Sequence, residues 1–445
     1  MINAKEHHDG LLRQRLEGLT AADKDYWSFK GNSRREHGHG LFQYPAMMVP
    51  QLARAVLDQA CAVHPDIERV GDPFSGSGTI LTESMMRGLA FSGTDINPLA
   101  VLLCHVKSGP FFIAAMKDKS EALKARIDAD RRWAVEAHFP NRDKWFKRDV
   151  QIALSKVRRA IREEDRLWAR RFFWVALAET VRMTSNSRTS TFKLHIRTPK
   201  DIQGRTRDPV ATFKNVLARN LQHYEEQATQ LSESGHILRG RYRREVAVSL
   251  ADVRHVEGQR ECDIVITSPP YGDNATTVPY GQYSYLPLQW VDLDDIEDTA
   301  NTDYLVSTHE IDTRSLGGSK RVKQSEADRI NDHSPTFAKY IKSLNNQPRD
   351  RVLRITAFFR DLDACLDNVL EGLRRGGLMV WTLGNRNVGG KRVPLDQILT
   401  ELLETHDTKL LCKLARRIVS KRMAPKNNIA DTMSSETILV MRKAI

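Results

Sequence analysis

The most constraining feature of this chain is a short strand, ERVGDP, that turns through the small residues of DPFSGSGT (72–79) into the helical ILTESMMRG and then into a second strand, AFSGTD. Strand, turn, helix and strand within about 30 residues make a βαβ unit, whose parallel strands need a crossover and a sheet covered on both faces. That points to an α/β, doubly wound architecture. The small residues of the turn let backbone amides approach a ligand at the positive end of the helix. Their spacing is neither GxGxxG nor GxxxxGK[ST], so the dinucleotide fingerprint and the P-loop are both excluded. Asp95 ends the second strand, where a carboxylate can accept both hydroxyls of a ribose. An ordinary strand-to-helix turn with an exposed Asp would read the same, so this segment alone leaves both possibilities open.

The rest of the chain extends the pattern. VPQLARAVLDQA places Leu52, Val56 and Leu57 at helical spacing, with Pro50 in the first turn. VAVSLAD and CDIVIT read as the third and fourth core strands, whereas residues 271–350 read as polar and irregular. A long helix, ITAFFRDLDACLDNVLEGLRR, is expected to stop at Gly376-Gly377 and to be followed by the strand LMVWTLG. VPLDQILTELLETH reads as a further helix, and KLLCKLARRI with ETILVMRK as a closing antiparallel pair. Residues 1–40 are polar and end in a loop-like REHGHG. His37 and His39 have no partner ligands nearby in sequence and are expected to be solvated.

Five cysteines without a CxxC pair argue against a disulfide framework and a structural zinc site, so buried thiols and no metal are expected. No apolar run of about 18 residues is present for a membrane span, and the first residues lack a signal peptide's apolar stretch, so no membrane partner and a cytoplasmic location are expected. The net charge of +12 suits a polyanionic partner. Residues 107–244 hold 31 basic against 16 acidic residues, so this one stretch accounts for the whole excess.

The second informative segment is DIVITSPPY (263–271), a strand running into Ser-Pro-Pro-Tyr. Two prolines remove two backbone donors and stiffen the chain, so carbonyl oxygens and the Ser268 hydroxyl can converge on an acceptor-rich spot. An amino group on a cytosine or adenine ring is a poor nucleophile, because its lone pair is delocalised into the ring. Acceptors gripping its hydrogens favour a pyramidal nitrogen that can attack a methyl sulfonium. Tyr271 offers a face for a base swung out of a duplex. In isolation, PPY is equally a stiffened turn after a strand.

Together, the two segments resemble the amino-methyltransferase family of DNA modification enzymes, whose FxGxG and [DNS]PPY motifs match residues 74–78 and 268–271. The resemblance implies a seven-stranded, Rossmann-like S-adenosylmethionine-dependent methyltransferase sheet with a large, mainly helical basic insertion. It implies S-adenosylmethionine as cofactor, with Asp72, Phe74, Ser75, Gly76, Gly78 and Thr79 on the methionine and adenosine side. Asp95 and the adjoining Ile96 would hold the ribose, and Asp252 would lie near the adenine. Residues 42–50, with Tyr44 and Pro45, resemble the element closing over the methionine end. Ser268, Pro269, Pro270 and Tyr271 would be the catalytic residues. The helix, Gly-Gly and strand around residues 370–383 and the terminal RRIVSKRMAPKNN with ETILVMRK also look like this family's ending.

The implied organisation is a polar segment 1–40, a cofactor-binding half 41–106, a basic insertion 107–244 as candidate target-recognition region, and a catalytic half 245–445. Within the insertion Arg188, Lys193, Arg197, Lys200, Arg205 and Arg207 lie in loop-like sequence with few acidic neighbours and are the expected contacts to double-stranded DNA. Ser at the head of SPPY resembles the N4-cytosine branch more than the N6-adenine branch. An N6-adenine DNA methyltransferase is the first alternative, and an RNA base amino-methyltransferase and a catalytically silent DNA-binding subunit are further ones. No PD…ExK pattern is present, so the restriction endonuclease of an associated restriction-modification system is expected to be a separate protein.

Overall fold

The computed structural model describes residues 2–33, 35–256, 260–274, 276–418 and 434–444. Most of RRIVSKRMAPKNN, from residue 419, lies outside the described residues.

Seven strands form the main sheet: β1 (Arg69–Asp72), β2 (Ala90–Asp95), β3 (Val246–Leu250), β4 (Cys262–Thr267), β5 (Leu373–Leu383), β6 (Thr408–Arg417) and β7 (Ser435–Lys443). Their order is β6-β7-β5-β4-β1-β2-β3, with β7 antiparallel to both neighbours and the remaining pairs parallel. The chain starts at β1 and runs outward through β2 and β3, then returns to the other side of β1 to lay down β4. That reversal between β1 and β4 is the topological switch point, where open α/β sheets bind ligands at the carboxyl ends of their strands.

Alternation along the strands accounts for the two-faced burial. Ile264 and Ile266 join one hydrophobic cluster and Val265 the other; on β7, Ile438 and Val440 oppose Leu439 and Met441. The first face is covered by α2 (Pro50–Val63) after the N-terminal α1 (Ile2–Ala22), with α3 (Thr79–Met85) following β1 and α4 (Pro98–Lys107) following β2. The insertion adds α5 (Ile113–Ala129), α6 (Arg148–Arg162), α7 (Leu167–Thr184) and α8 (Pro209–Glu233), whose apolar residues continue the same cluster. After β4 come α9 (Tyr280–Leu288) and then α10 (Arg349–Glu371), which with α11 (Leu395–Glu404) covers the second face. No helix among the described residues is long and apolar enough to cross a membrane, and none of their His, Cys, Asp or Glu residues cluster as a metal site.

Several sequence expectations need correction. The polar N-terminal stretch folds mostly as α1, because Leu12 and Leu16, four apart, bury one stripe against the body of the protein. Residues 271–350, read as irregular, contain α9 and further helices, including Gln324–His333 and Pro335–Lys342. α10 ends at Glu371, and β5 already starts at Leu373, ahead of the two glycines. Cys61 is only half-buried, unlike the other four thiols. His39 is not solvated: it is buried, with Nε2 3.1 Å from Glu83 Oε1 on α3.

Glu83 is itself buried and takes Arg54 Nε and Nη2, each at 3.2 Å, and Arg87 Nη1 at 3.1 Å. Burial alone would raise its carboxyl, but hydrogen bonds from His39 and Arg54 outweigh that and hold it down at about 2. A depressed carboxylate contributes stability that is complete above its unfolded value and is lost as pH falls towards the folded one. Glu83→Ala is therefore expected to cost roughly 3 kcal/mol at neutral pH, since it removes the buried carboxylate that His39 and Arg54 share, while Arg87 keeps Asp58. Urea denaturation measures it; a loss under about 1 kcal/mol would show that the network does not tie α2 to α3.

Candidate active site at the carboxyl edge of the sheet

The predicted cofactor and catalytic residues meet at the switch point. Asp72 is the last residue of β1 and Asp95 the last of β2, while Asp252 follows β3 by two residues and Ser268 follows β4 directly. A cleft with about 910 Å³ of unfilled space opens over these strand ends. Its walls include Tyr44, Pro45, Asp72, Phe74, Ser75, Gly76, Thr79, Asp95, Ile96, Asp252, Ser268 and Pro270. Gly78, Pro269 and Tyr271 are not among its lining residues, although Pro269 lies between Ser268 and Pro270, which are.

The turn after β1 is built from its own backbone. Ser75 N–H donates to the Thr94 carbonyl at 3.0 Å, Ser75 Oγ to the Asp72 carbonyl at 2.9 Å, and Gly78 N–H to the Ser75 carbonyl at 2.8 Å. Gly78 has φ +71°, and a Cβ there would come within 2.9 Å of Cys104 Sγ, so its part is to start α3 in a left-handed conformation. Lys107, buried at the end of α4, donates to the Ser77 carbonyl at 2.5 Å; burial lowers its ammonium to about 8.

Two of the three carboxylates in the cleft wall, Asp72 and Asp95, are held by hydrogen bonds from neighbouring segments. Asp72 Oδ1 accepts from Thr267 Oγ1 at 2.7 Å and from Phe74 N–H at 3.1 Å. Asp95 accepts from Gly76 N–H on Oδ2 and from Asn97 N–H on Oδ1, each at 2.8 Å. Burial pushes Asp72 up to about 7 and Asp95 up to about 6, against the pull of those hydrogen bonds. Asp252 is gripped by Arg254, with Nε 3.0 Å and Nη2 2.5 Å from its two oxygens.

Sequence reasoning missed several walls of the cleft. Asn97 caps α4 and donates through Nδ2 to Tyr44 Oη at 2.9 Å and to Ser284 Oγ at 2.8 Å. It thereby joins the segment before α2 to α9. Tyr280 on α9 stacks on Tyr44 at a centroid distance of 5.8 Å, and Arg314, Ser315 and Leu316 close the wall of the cleft that Asp252 also lines. The Asn-Pro after the second strand is a helix-start signal that could have flagged Asn97, whereas residues 280–316 carry no motif.

The structure also sorts the basic residues of the insertion. Arg188, Lys193, Lys200 and Arg207 are exposed, and Arg197 is half-buried. Residues 187–196 form a small ribbon through a Ser187–Ile196 bridge, and its Phe192 packs on Tyr283 of α9, at 5.8 Å. Arg205 is spent internally, donating to the Ser185 and Met183 carbonyls at 2.6 and 2.7 Å. On the helices, Arg158 and Arg162 bind Asp292 while Arg170 binds Asp295, so part of the basic excess fastens the insertion to the segment after α9.

The strand order and the cleft over β1, β2 and β4 define a Rossmann-like methyltransferase fold. Over 472 aligned positions, spanning 100% of this chain and 99% of the relative, the sequence is 30% identical to the type II methyltransferase M.MvaI of Kocuria varians. The chain belongs to the type II methyltransferase family. It is also 37% identical over 84 residues, 19% of its length and 15% of the relative's, to the type II methyltransferase M.MjaII of Methanocaldococcus jannaschii. No family model matches the chain. Among solved structures it is similar to the rRNA methyltransferase aviRa from Streptomyces viridochromogenes, at 11% identity and TM-score 0.30 over 90% of this chain and 86% of that one, too loose a superposition to carry any argument.

Proposed function

We propose that this protein transfers a methyl group from S-adenosylmethionine to the exocyclic N4 amino group of a cytosine flipped out of double-stranded DNA. The observation that carries the reading is that Ser268 and Pro270 of the SPPY segment open into the same cleft as Asp72 and Asp95. The full-length similarity to a type II methyltransferase supports it.

The residues present fit the cofactor. Asp72 keeps Oδ2 for an ammonium group, since both of its anchoring bonds fall on Oδ1. Each Asp95 oxygen accepts one backbone bond and retains a second lone pair for a ribose hydroxyl. Tyr44 and Pro45 would cover the methionine end. Asp252 would face the adenine side, oriented by Arg254. When bound, S-adenosylmethionine supplies an electrophilic methyl group on a sulfonium.

The chain's own part is positioning. Ser268 Oγ and the Pro269 carbonyl grip the amino hydrogens and leave the nitrogen lone pair free to attack. Proximity and alignment of this kind can contribute about 7–11 kcal/mol. Tyr271 would stack on the flipped ring while its hydroxyl meets Ser268 Oγ and Glu436 Oε1, and Pro270 would add apolar wall. A cytosine is favoured over an adenine because Ser heads the tetrapeptide. Incubation with radiolabelled S-adenosylmethionine and either duplex DNA or total RNA, followed by nucleoside mass spectrometry, tests this. N4-methylcytosine from DNA supports the reading, N6-methyladenine corrects the base, label only in RNA replaces the polymer, and no label leaves a silent DNA-binding subunit.

DNA would lie across the ribbon and the following loop, which pack beside α9 at the cleft's edge. Arg188, Lys193, Arg197, Lys200 and Arg207 are the proposed contacts; Arg205 would instead hold the loop's shape through its two carbonyls. A restriction endonuclease, if this protein serves a restriction-modification pair, would be a separate chain. Removing one side chain that neutralises a phosphate reduces the slope of log affinity against log salt by about 0.9. The Lys200→Ala, Arg207→Ala double variant is thus expected to flatten it by roughly 2. Fluorescence anisotropy with a duplex across a salt series reads this, and an unchanged slope would remove the loop from the interface.

A further inference from the structure

A line of hydrogen bonds leads from the SPPY segment to the far edge of the sheet. Ser268 Oγ lies 3.1 Å from Tyr271 Oη, and Tyr271 Oη lies 3.1 Å from Glu436 Oε1 on β7. Glu436 sits directly opposite Arg416 in the β6–β7 ladder, and Arg416 Nη1 binds its other oxygen. Arg416 is itself buried and anchored through Nε to the Trp27 carbonyl at 2.9 Å.

The protons in this line can be assigned by counting donors. An arginine is always charged, and the Glu436 carboxylate paired with it only accepts. Tyr271 has one hydroxyl proton, and its partner Glu436 requires it. The contact between Ser268 and Tyr271 must then use the serine's proton, with the tyrosine oxygen accepting. Ser268 has no second proton, so it turns only lone pairs towards the cleft.

We infer that Glu436 is a positioning residue that fixes Ser268 as a hydrogen-bond acceptor, and so makes the site selective for an amino group over a carbonyl oxygen at the reacting position of the base. The inference rests on the proposed amino-methyltransferase reading. It explains why a carboxylate from the last strand is joined to a motif 165 residues earlier in the chain. It also gives Tyr271 work for its hydroxyl, whatever its ring does. Replacing Glu436 with a glutamine would reverse the line: an amide N–H could donate to Tyr271, whose proton would pass to Ser268, whose own proton would then face the incoming amino group.

Single-turnover methylation of unmodified genomic DNA with radiolabelled S-adenosylmethionine tests this, alongside calorimetric cofactor titration of each variant. Glu436→Gln is expected to slow methyl transfer about 10- to 100-fold, the equivalent of one misdirected hydrogen bond, with the cofactor Kd within about twofold of wild type. Tyr271→Phe leaves the Glu436–Arg416 pair intact and is expected to slow it about tenfold. In the Tyr271→Phe background the Glu436→Gln change should add nothing beyond about twofold, because the glutamate acts only through the tyrosine. Independent, multiplying losses would make Glu436 merely structural and overturn the inference, as would wild-type rates in either single variant. If Glu436→Gln fails to fold, the Tyr271→Phe rate at unchanged cofactor affinity decides alone. A wild-type protein that labels no nucleic acid would instead reject the proposed function itself, and this inference with it.

Discussion

Asp95→Ala is expected to weaken S-adenosylmethionine binding by about 100-fold, measured by calorimetric titration of the purified protein. Two hydroxyl-to-carboxylate bonds at about 1.5 kcal/mol each give roughly 3 kcal/mol, and about 1.4 kcal/mol is tenfold in affinity. The carboxylate already holds the Gly76 and Asn97 amides, so its oxygens are fixed before the cofactor arrives and little ordering is spent on binding. Affinity should also fall as pH drops through about 6, the value to which burial raises this group, because the protonated acid has given up part of its acceptor capacity. The sign for stability is opposite. A carboxyl whose folded value is raised favours the folded state at low pH and loses that contribution as pH climbs from the unfolded value through about 6, and for Asp72 through about 7. An Asp95→Ala protein binding within threefold of wild type would move the ribose elsewhere.

How much of this was legible in the sequence follows from how local each signal is. The β1 turn and the β4 tetrapeptide were readable because each is a continuous run in which backbone geometry dictates residue type: Gly78 needs its left-handed φ, and the paired prolines stiffen the exit from β4. The closing pair of strands was readable from alternation, confirmed by the β6–β7 ladder. The long-range partners were not. His39 looked like a loop histidine because its partner Glu83 is 44 positions away, and the apolar stripe of α1 is narrow. Arg205 looked like its exposed neighbours, since nothing local reveals that it binds the carbonyls at the end of α7. The acidic stretch around Asp292 and Asp295 reads as solvated until the arginines of α6 and α7 are brought onto it. Charge counts over 107–244 therefore overstated the basic surface free for a polyanion.

The other large effect is expected at Ser268. Ser268→Ala should lower the single-turnover methylation rate by about 10²–10³-fold, a loss typical of deleting one preorganised polar contact to a developing charge. The reason is electronic. The amino nitrogen must give up conjugation with its ring as it attacks, and its hydrogens become more acidic as positive charge builds on nitrogen. An acceptor that is held in place gains strength along that coordinate, and so acts on the transition state more than on the bound base. The cofactor Kd should stay within about twofold, because Asp72 and Asp95 are anchored independently of Ser268, through Thr267, Phe74, Gly76 and Asn97. A variant that loses cofactor affinity while keeping its rate would place Ser268 on the cofactor's side of the cleft. One that keeps both would leave the Pro269 carbonyl as the sole grip on the amino group, and with it would go the argument that Ser at the head of the tetrapeptide selects the base.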